Sequence, residues 1–221
     1  MAQDPLQQLY EIAADVNLKI KINDNCSTML SVRWEPDHTR VSLHRMFLQA
    51  PKNVMEELAC YIKQKGKVGP EVKAFIESNL SELDYSSQLN PKKLQVAGTV
   101  YNLREIYDNL NSEYFNEEVD LFITWFGKPG FKPKTKLTFG LYQDPLKLIK
   151  INRLLDSILI PDYFISFVVY HEMLHKVCRS FVDERGINHS HTPEFRERER
   201  EFKHYDLSQE WIENNKMRLF A

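Results

Sequence analysis

The sequence has few cysteines, little net charge and no long apolar run, and each scarcity excludes a class of protein. Its three cysteines, Cys26, Cys60 and Cys178, are too few and too scattered for a disulfide framework or a CxxC zinc ribbon. The longest nearly apolar stretch, Tyr163 to Tyr170, is far shorter than the roughly twenty residues of a membrane-spanning helix. A net charge of -2 disfavours binding of nucleic acid through overall basicity. Since the N-terminal residues also lack the basic region of a signal peptide, we expect a cytoplasmic protein without membrane contact.

Composition is that of an ordinary globular protein, with 43% hydrophobic and 27% charged residues among 221. A polar, proline-containing stretch at 84–93 is the best candidate for a linker. We therefore predict an N-terminal α+β region over residues 1–90 and a second domain over residues 95–221.

Hydrophobic periodicity and turn residues predict the elements of both regions. For the first region the predicted elements are a helix after Pro5, a hairpin of Thr28 to Trp34 with Thr39 to Leu43, and helices at about 51–65 and 70–83. For the second they are a helix near 100–114, strands at 121–126, 136–142 and 148–152, a helix from Pro161 to about Val182, and helices after Thr192-Pro193 and around Trp211.

The two regions share a sequence pattern. VSLHRMFLQAPKNVMEELACY and LIKINRLLDSILIPDYFISFVVYH each contain an extended segment that ends at an arginine, Arg45 or Arg153, and then a proline-started apolar helix. A repeat would place Tyr61 where the second copy has His171, which would make the first copy a metal-free scaffold. The alternative is coincidence, because units of strands followed by a helix recur in many folds.

His171-Glu172-Met173-Leu174-His175 matches the HExxH pattern. On a helix, positions i and i+4 lie on one face, so the two imidazoles can bind one ion. Glu172 lies beside them and is the candidate general base, which takes a proton from a water that the metal has made acidic. Two unpaired histidines and a glutamate would be costly inside so apolar a helix, which favours a zinc site over two structural histidines.

Catalytic zinc needs a third protein ligand and an open fourth position. The metzincin extension is missing, because Cys178 and Phe181 occupy the positions where that class has glycine and histidine. Three downstream residues are candidates: His189, His191 and Glu194. We favour His191, because it immediately precedes the helix start at Thr192-Pro193, where a loop can direct it back to the first helix.

Two further features allow more than one interpretation. The segment from Gly127 to Lys136 combines Lys128, Lys132, Lys134 and Lys136 with Phe131, a pattern that suits single-stranded nucleic acid as well as an ordinary solvated loop. Tyr142, His189 and Tyr205 are candidates for the group that stabilises the oxyanion of a hydrolytic reaction.

Residues 98–205 resemble an SprT-like domain, the catalytic domain of SprT and of the Spartan proteases that act on DNA–protein crosslinks. The matching segments are LNSEYFNEEV, ITWFG, LTFGLYQDPLKLIKIN, FVVYHEMLH and HTPEF. The resemblance implies zinc ligands at His171, His175 and His191, with Glu172 as general base. It covers roughly half of the chain, and the first ninety residues lie outside it.

Motif and resemblance together predict a zinc-dependent metallopeptidase of the α+β class. The expected architecture is minimal gluzincin-like, with a small antiparallel sheet packed on the HExxH helix. We expect a protein or peptide substrate, and DNA-associated proteins are a further option. The competing hypothesis is a non-catalytic zinc-containing binding or scaffold module, which four protein ligands around the metal would favour.

Overall fold

The computed structural model describes residues 4–25, 28–80, 82–128, 137–183 and 187–220. The chain divides into two compact units. The N unit comprises Met1–Leu83 with Ser180–His189, and the C unit comprises Asp84–Arg179 with Ser190–Ala221. The segment Ser180–His189, which the sequence analysis put in the second domain, is therefore part of the N unit.

The N unit contains a three-stranded sheet and three helices among its described residues. Its elements are α1 (Pro5–Ile12), β1 (Leu18–Asn23), β2 (Leu30–Trp34), β3 (Thr39–His44), α2 (Lys52–Gln64) and α3 (Pro70–Leu80), with the short pair β7 (Phe181–Val182) and β8 (Asn188–His189). The strand order is β1-β3-β2, with β1 parallel and β2 antiparallel to β3. Strand β1 was missed, although its sequence LKIKIN has the alternation of a half-buried strand.

The C unit has the same sheet order, β4-β6-β5. Its elements are α4 (Leu103–Tyr114), β4 (Phe122–Phe126), β5 (Gly140–Gln143), β6 (Leu148–Asn152), α5 (Asp162–Val177), α6 (Pro193–Arg200) and α7 (Tyr205–Phe220). The predicted antiparallel sheet is wrong, because β4 pairs with β6 in parallel and only β5 with β6 is antiparallel. The long connection from Gly127 to Lys147 allows the crossover that parallel pairing requires.

Helix α5 carries the HExxH segment through the centre of the C unit. Its buried side chains occur all around its axis, which is the pattern of a helix enclosed by other elements. It packs on α4, α6, α7 and the strands β5 and β6. The prediction that it continues to Val182 is wrong: the helix ends at Val177, and Phe181–Val182 instead pairs with Asn188–His189 as a strand.

The predicted mixed α+β class is confirmed. The part of the chain that the structure describes contains seven α-helices and two three-stranded sheets. None of its helices is both long and apolar enough to cross a membrane.

Candidate metal centre

Two histidines of α5 form the first half of the centre. His171 and His175 are one helical turn apart, and their ring centroids are separated by 5.1 Å. Both side chains are only partly buried, so the pair faces a surface that a ligand can reach.

His191 completes a group of three imidazoles. It lies just before α6, whose start is fixed by Thr192: the Thr192 hydroxyl accepts the backbone N–H of Phe195 at 3.2 Å. The His191 ring centroid lies 5.0 Å from that of His171 and 5.0 Å from that of His175. The three rings therefore form a nearly equilateral triangle, and one nitrogen of each lies within 4.8 Å of the other two.

The spacing of these nitrogens fits zinc. Nε2 of His171 and Nε2 of His191 are 3.2 Å apart. A tetrahedral zinc ion bound at about 2.0–2.1 Å would hold two imidazole nitrogens about 3.3–3.4 Å from each other. The donor set, three imidazole nitrogens, is also one that zinc prefers.

The electrostatics of the group keep two of the rings neutral. Burial, together with the nearby His171 and His191, lowers the pKa of His175 to about 3. Burial also lowers the pKa of His191, with His171 acting in the same direction. At pH 7 both imidazoles therefore have a free lone pair for a metal.

Phe195 forms the apolar base of the triangle. Its side chain is fully buried in α6, and its ring centroid lies 5.0 Å from that of His171 and 4.8 Å from those of His175 and His191. One aromatic ring thus contacts all three imidazoles and restricts their orientation.

Glu172 lies on the inner side of α5, with only 6% of its surface exposed. Burial raises its pKa to about 7, while His171 and a hydrogen bond from the Tyr142 backbone N–H oppose the rise. The edge strand β5 also makes room for this side chain: a Cβ atom on Gly140 would lie 2.5 Å from Glu172 Oε1. The sequence analysis missed the role of Gly140, because no local pattern marks a glycine that faces a helix thirty residues further along the chain.

The two other candidate ligands lie elsewhere. His189 is in the N-unit segment and its Nε2 is 2.9 Å from Asp183 Oδ2. Glu194 is exposed and pairs with Arg198 at 3.4 Å. Among the described residues, the metal-binding group at this place consists of the three histidines only. A tetrahedral metal ion held by these three nitrogens would have its fourth position available for water or substrate.

The candidate oxyanion groups have other partners. The Tyr142 hydroxyl donates to Asp144 Oδ1 at 2.6 Å, and burial together with this bond raises the pKa of Tyr142. Tyr205 packs against Phe167, with ring centroids 6.0 Å apart. The basic loop lies largely outside the described residues, which stop at Lys128 and resume at Leu137.

A carboxylate that the sequence analysis overlooked reaches the centre. Glu199 Oε1 lies 2.6 Å from Nδ1 of His171, and its side chain is 14% exposed. A signal was available in the sequence, because Glu199 is four residues after Phe195 and three before Phe202, and so lies on the inward face of the helix EFRERERE.

Comparisons of the chain with protein-family models, curated proteins and solved structures gave no match in any of the three. The resemblance to the SprT-like domain therefore stays a prediction. A functional assignment depends on the geometry of the three histidines and Glu172.

Proposed function

We propose that the chain is a zinc-dependent metallopeptidase. The observation that carries the proposal is the triangle of His171, His175 and His191, with nitrogens within 4.8 Å of one another. Glu172 directly follows the first of them in the chain and is buried, which raises its pKa, whereas His171 lowers it. A purely structural zinc site normally has four protein ligands, whereas three histidines and an open position are typical of hydrolytic zinc.

Each residue of the site has a separate role in the proposed reaction. His171, His175 and His191 hold the ion, which when bound polarises a substrate carbonyl and makes a water molecule more acidic. Glu172 accepts the proton of the attacking water and then passes it to the leaving amine. The Tyr142 backbone N–H donates to the Glu172 carboxylate, and the lack of a side chain at Gly140 leaves room for it. Together they keep the carboxylate in place for both proton transfers.

The architecture supports the same proposal at the level of fold. The HExxH helix packs on a small mixed sheet whose edge strand β5 contacts it, an arrangement in keeping with a minimal gluzincin-like peptidase. The SprT-like segments quoted above agree with this assignment. Contact with DNA would depend on the loop at 127–136, so the proposal is limited to hydrolysis of peptide bonds.

Metal analysis combined with cleavage of fluorescently labelled casein tests the proposal. We expect one zinc per wild-type chain, and loss of both zinc and cleavage in His191→Ala. His189→Ala is the matched control and should keep both, because His189 pairs with Asp183 instead.

Glu172→Gln separates binding from chemistry. We expect it to retain zinc, because the three histidines are intact, while cleavage falls by about a hundredfold to ten-thousandfold. A variant that cleaves at the wild-type rate would show that Glu172 is not the base. Tightly bound zinc without any cleavage by the wild type would instead support the non-catalytic module.

A further inference from the structure

We propose that Glu199 is a positioning residue of this centre, which orients His171 so that Nε2 faces the metal. The inference rests on the proposed metal site and adds to it a residue outside the HExxH and HTPEF segments. Its basis is the contact of 2.6 Å between Glu199 Oε1 and His171 Nδ1. A second-shell carboxylate of this kind fixes the imidazole and makes its metal-binding nitrogen more basic.

The hydrogen of this contact is assigned to the imidazole. A carboxylate oxygen accepts hydrogen bonds, so Nδ1 of His171 is the donor to Glu199 Oε1. In the neutral ring, Nε2 is then the nitrogen with the free lone pair. That nitrogen is the one 3.2 Å from Nε2 of His191, which is the side of the ring where the three histidines converge.

The helix α6 holds Glu199 at this place by independent contacts. Phe195 and Phe202 lie on the same face as Glu199, and they are 0% and 2% exposed. The Tyr170 hydroxyl donates to the backbone oxygen of Arg198 at 2.7 Å, so the residues just before His171 and just before Glu199 are bonded to each other. The neighbouring acid Glu197 is exposed, which makes it a natural control.

The contact singles out one ligand of the three. Among the hydrogen bonds of the described residues, it is the one that joins a ring nitrogen of the triangle to a carboxylate. With a side chain that is only 14% exposed, Glu199 is partly shielded from water, so its charge is not fully screened at His171. We therefore expect Glu199 to contribute to metal affinity rather than only to the packing of α6.

The first test measures zinc affinity by competition with a chromophoric chelator, on the full-length chain. Glu199→Gln keeps the shape of the side chain but removes its charge, and we expect its zinc affinity to fall about 10- to 100-fold. Glu197→Gln should bind like the wild type. If Glu199→Gln also binds as tightly as the wild type, the inference is wrong while the metal site stands. A wild type that binds no zinc would overturn both.

The second test uses metal-free wild-type protein for the measurement and a variant only to assign the signals. Nitrogen NMR of the histidine rings, at a pH where they are neutral, distinguishes a protonated Nδ1 from a protonated Nε2. The His171 signals can be assigned by their absence from His171→Asn. We expect the hydrogen on Nδ1, and a ring protonated at Nε2 would contradict the positioning role.

Discussion

The two units have the same sheet in the same order, but the group of three histidines lies in the C unit. In each, a helix leads to a first strand, and a hairpin follows whose second strand lies in the middle of the sheet. That central strand is parallel to the first strand and antiparallel to the second in both units. The predicted repeat remains a hypothesis about the origin of the chain, but the frame it describes is present twice.

The same local device follows the central strand in each unit. His44 in the N unit accepts the backbone N–H of Met46, and Asn152 in the C unit accepts that of Leu154, at 3.1 and 3.0 Å. Each side chain caps a short 3-10 turn, which leads to a proline and then to the long helix of the unit. A cap, a turn and a proline therefore define where both α2 and α5 begin.

The units differ where the chemistry would be. Counting from Pro51 and Pro161, Tyr61 takes the place of His171 and Ile62 that of Glu172. Ile62 is 1% exposed and Tyr61 packs edge-on against Trp34 at 5.6 Å, so ordinary core packing fills this region. Lys65 takes the place of His175, but α2 has already ended there, with Lys65 at a φ of 54°.

The difference also extends to the edge strand. Leu30 pairs with Leu43 in the N unit at the position where Gly140 pairs with Ile151 in the C unit. The N unit thus has a large side chain where the C unit leaves room for a carboxylate. The comparison teaches that the same frame can contain either ordinary core packing or the candidate centre, and that few residues distinguish the two.

Substitutions at Glu172 and at the corresponding Ile62 should have the largest effect, which is on the free energy of unfolding. Ile62→Glu would bury a carboxylate without a partner, and we expect it to lower the free energy of unfolding by about 3 kcal/mol or more. Glu172→Met removes a buried carboxylate and should raise the free energy of unfolding by about 1 kcal/mol. Denaturant titration measures both. Equal effects of the two substitutions would mean that the two positions are not in contrasting environments.

Filling the space above Glu172 should affect catalysis next most strongly. In Gly140→Ala the new Cβ would lie 2.5 Å from Glu172 Oε1, so the carboxylate must move. We expect casein cleavage to fall about a hundredfold, since a displacement of about 1 Å has effects of that size. Zinc content should not change. The control is Gly66→Ala, because a Cβ there meets nothing within 4 Å. A fully active Gly140→Ala would refute the role of this glycine.

A smaller effect concerns Asp156, which follows the 3-10 turn Arg153–Leu155 of the C unit, whereas Ala50 follows the corresponding turn Arg45–Gln49 of the N unit. Burial alone would raise the pKa of Asp156, but three backbone N–H groups, of Thr99, Val100 and Tyr101, donate to it and hold the pKa below its usual value. We expect Asp156→Asn to lower the free energy of unfolding by about 1 kcal/mol at pH 7.

The pH dependence of this effect has a definite sign. A carboxylate whose pKa is lower in the folded protein stabilises it above the unfolded pKa of about 3.9, and this stabilisation is lost as the pH falls through the folded pKa. The difference between wild type and Asp156→Asn should therefore shrink below about pH 4. Asp108→Asn, at an exposed pair with Arg104, should change stability by less than about 0.5 kcal/mol.

Removing zinc should have the smallest effect on secondary structure. Because a chain of this length buries a core without metal, chelation should leave the far-ultraviolet circular dichroism at 25 °C nearly unchanged. The thermal midpoint should fall only by the contribution of ligand binding to the folded state. Loss of helical signal on chelation would indicate a structural rather than a catalytic zinc.

Local sequence patterns were enough to predict much of the candidate site. HExxH placed His171, Glu172 and His175 on one helix, and Thr192-Pro193 placed the start of α6 correctly. What the sequence analysis missed depends on distant contacts: Gly140 matters only because β5 meets α5, and the parallel pairing of β4 with β6 requires the path of a long connection. Contacts between distant segments leave no periodic pattern in the sequence. A single sequence indicates them only where the residues on the inward face of a helix are identified one by one, as could have been done for Glu199.

The path of the chain around residues 180–189 has a practical consequence for anyone who would shorten this protein. A fragment that starts at Asp84 would still contain β7, but without α3, on which β7 packs and whose Glu77 accepts a hydrogen bond from the Ser180 hydroxyl. Phe181 would then be left on an unsupported ribbon between the two segments that carry the candidate metal ligands. A single cut cannot release an intact C unit; a second excision, with a short splice from Arg179 to Ser190, is needed as well.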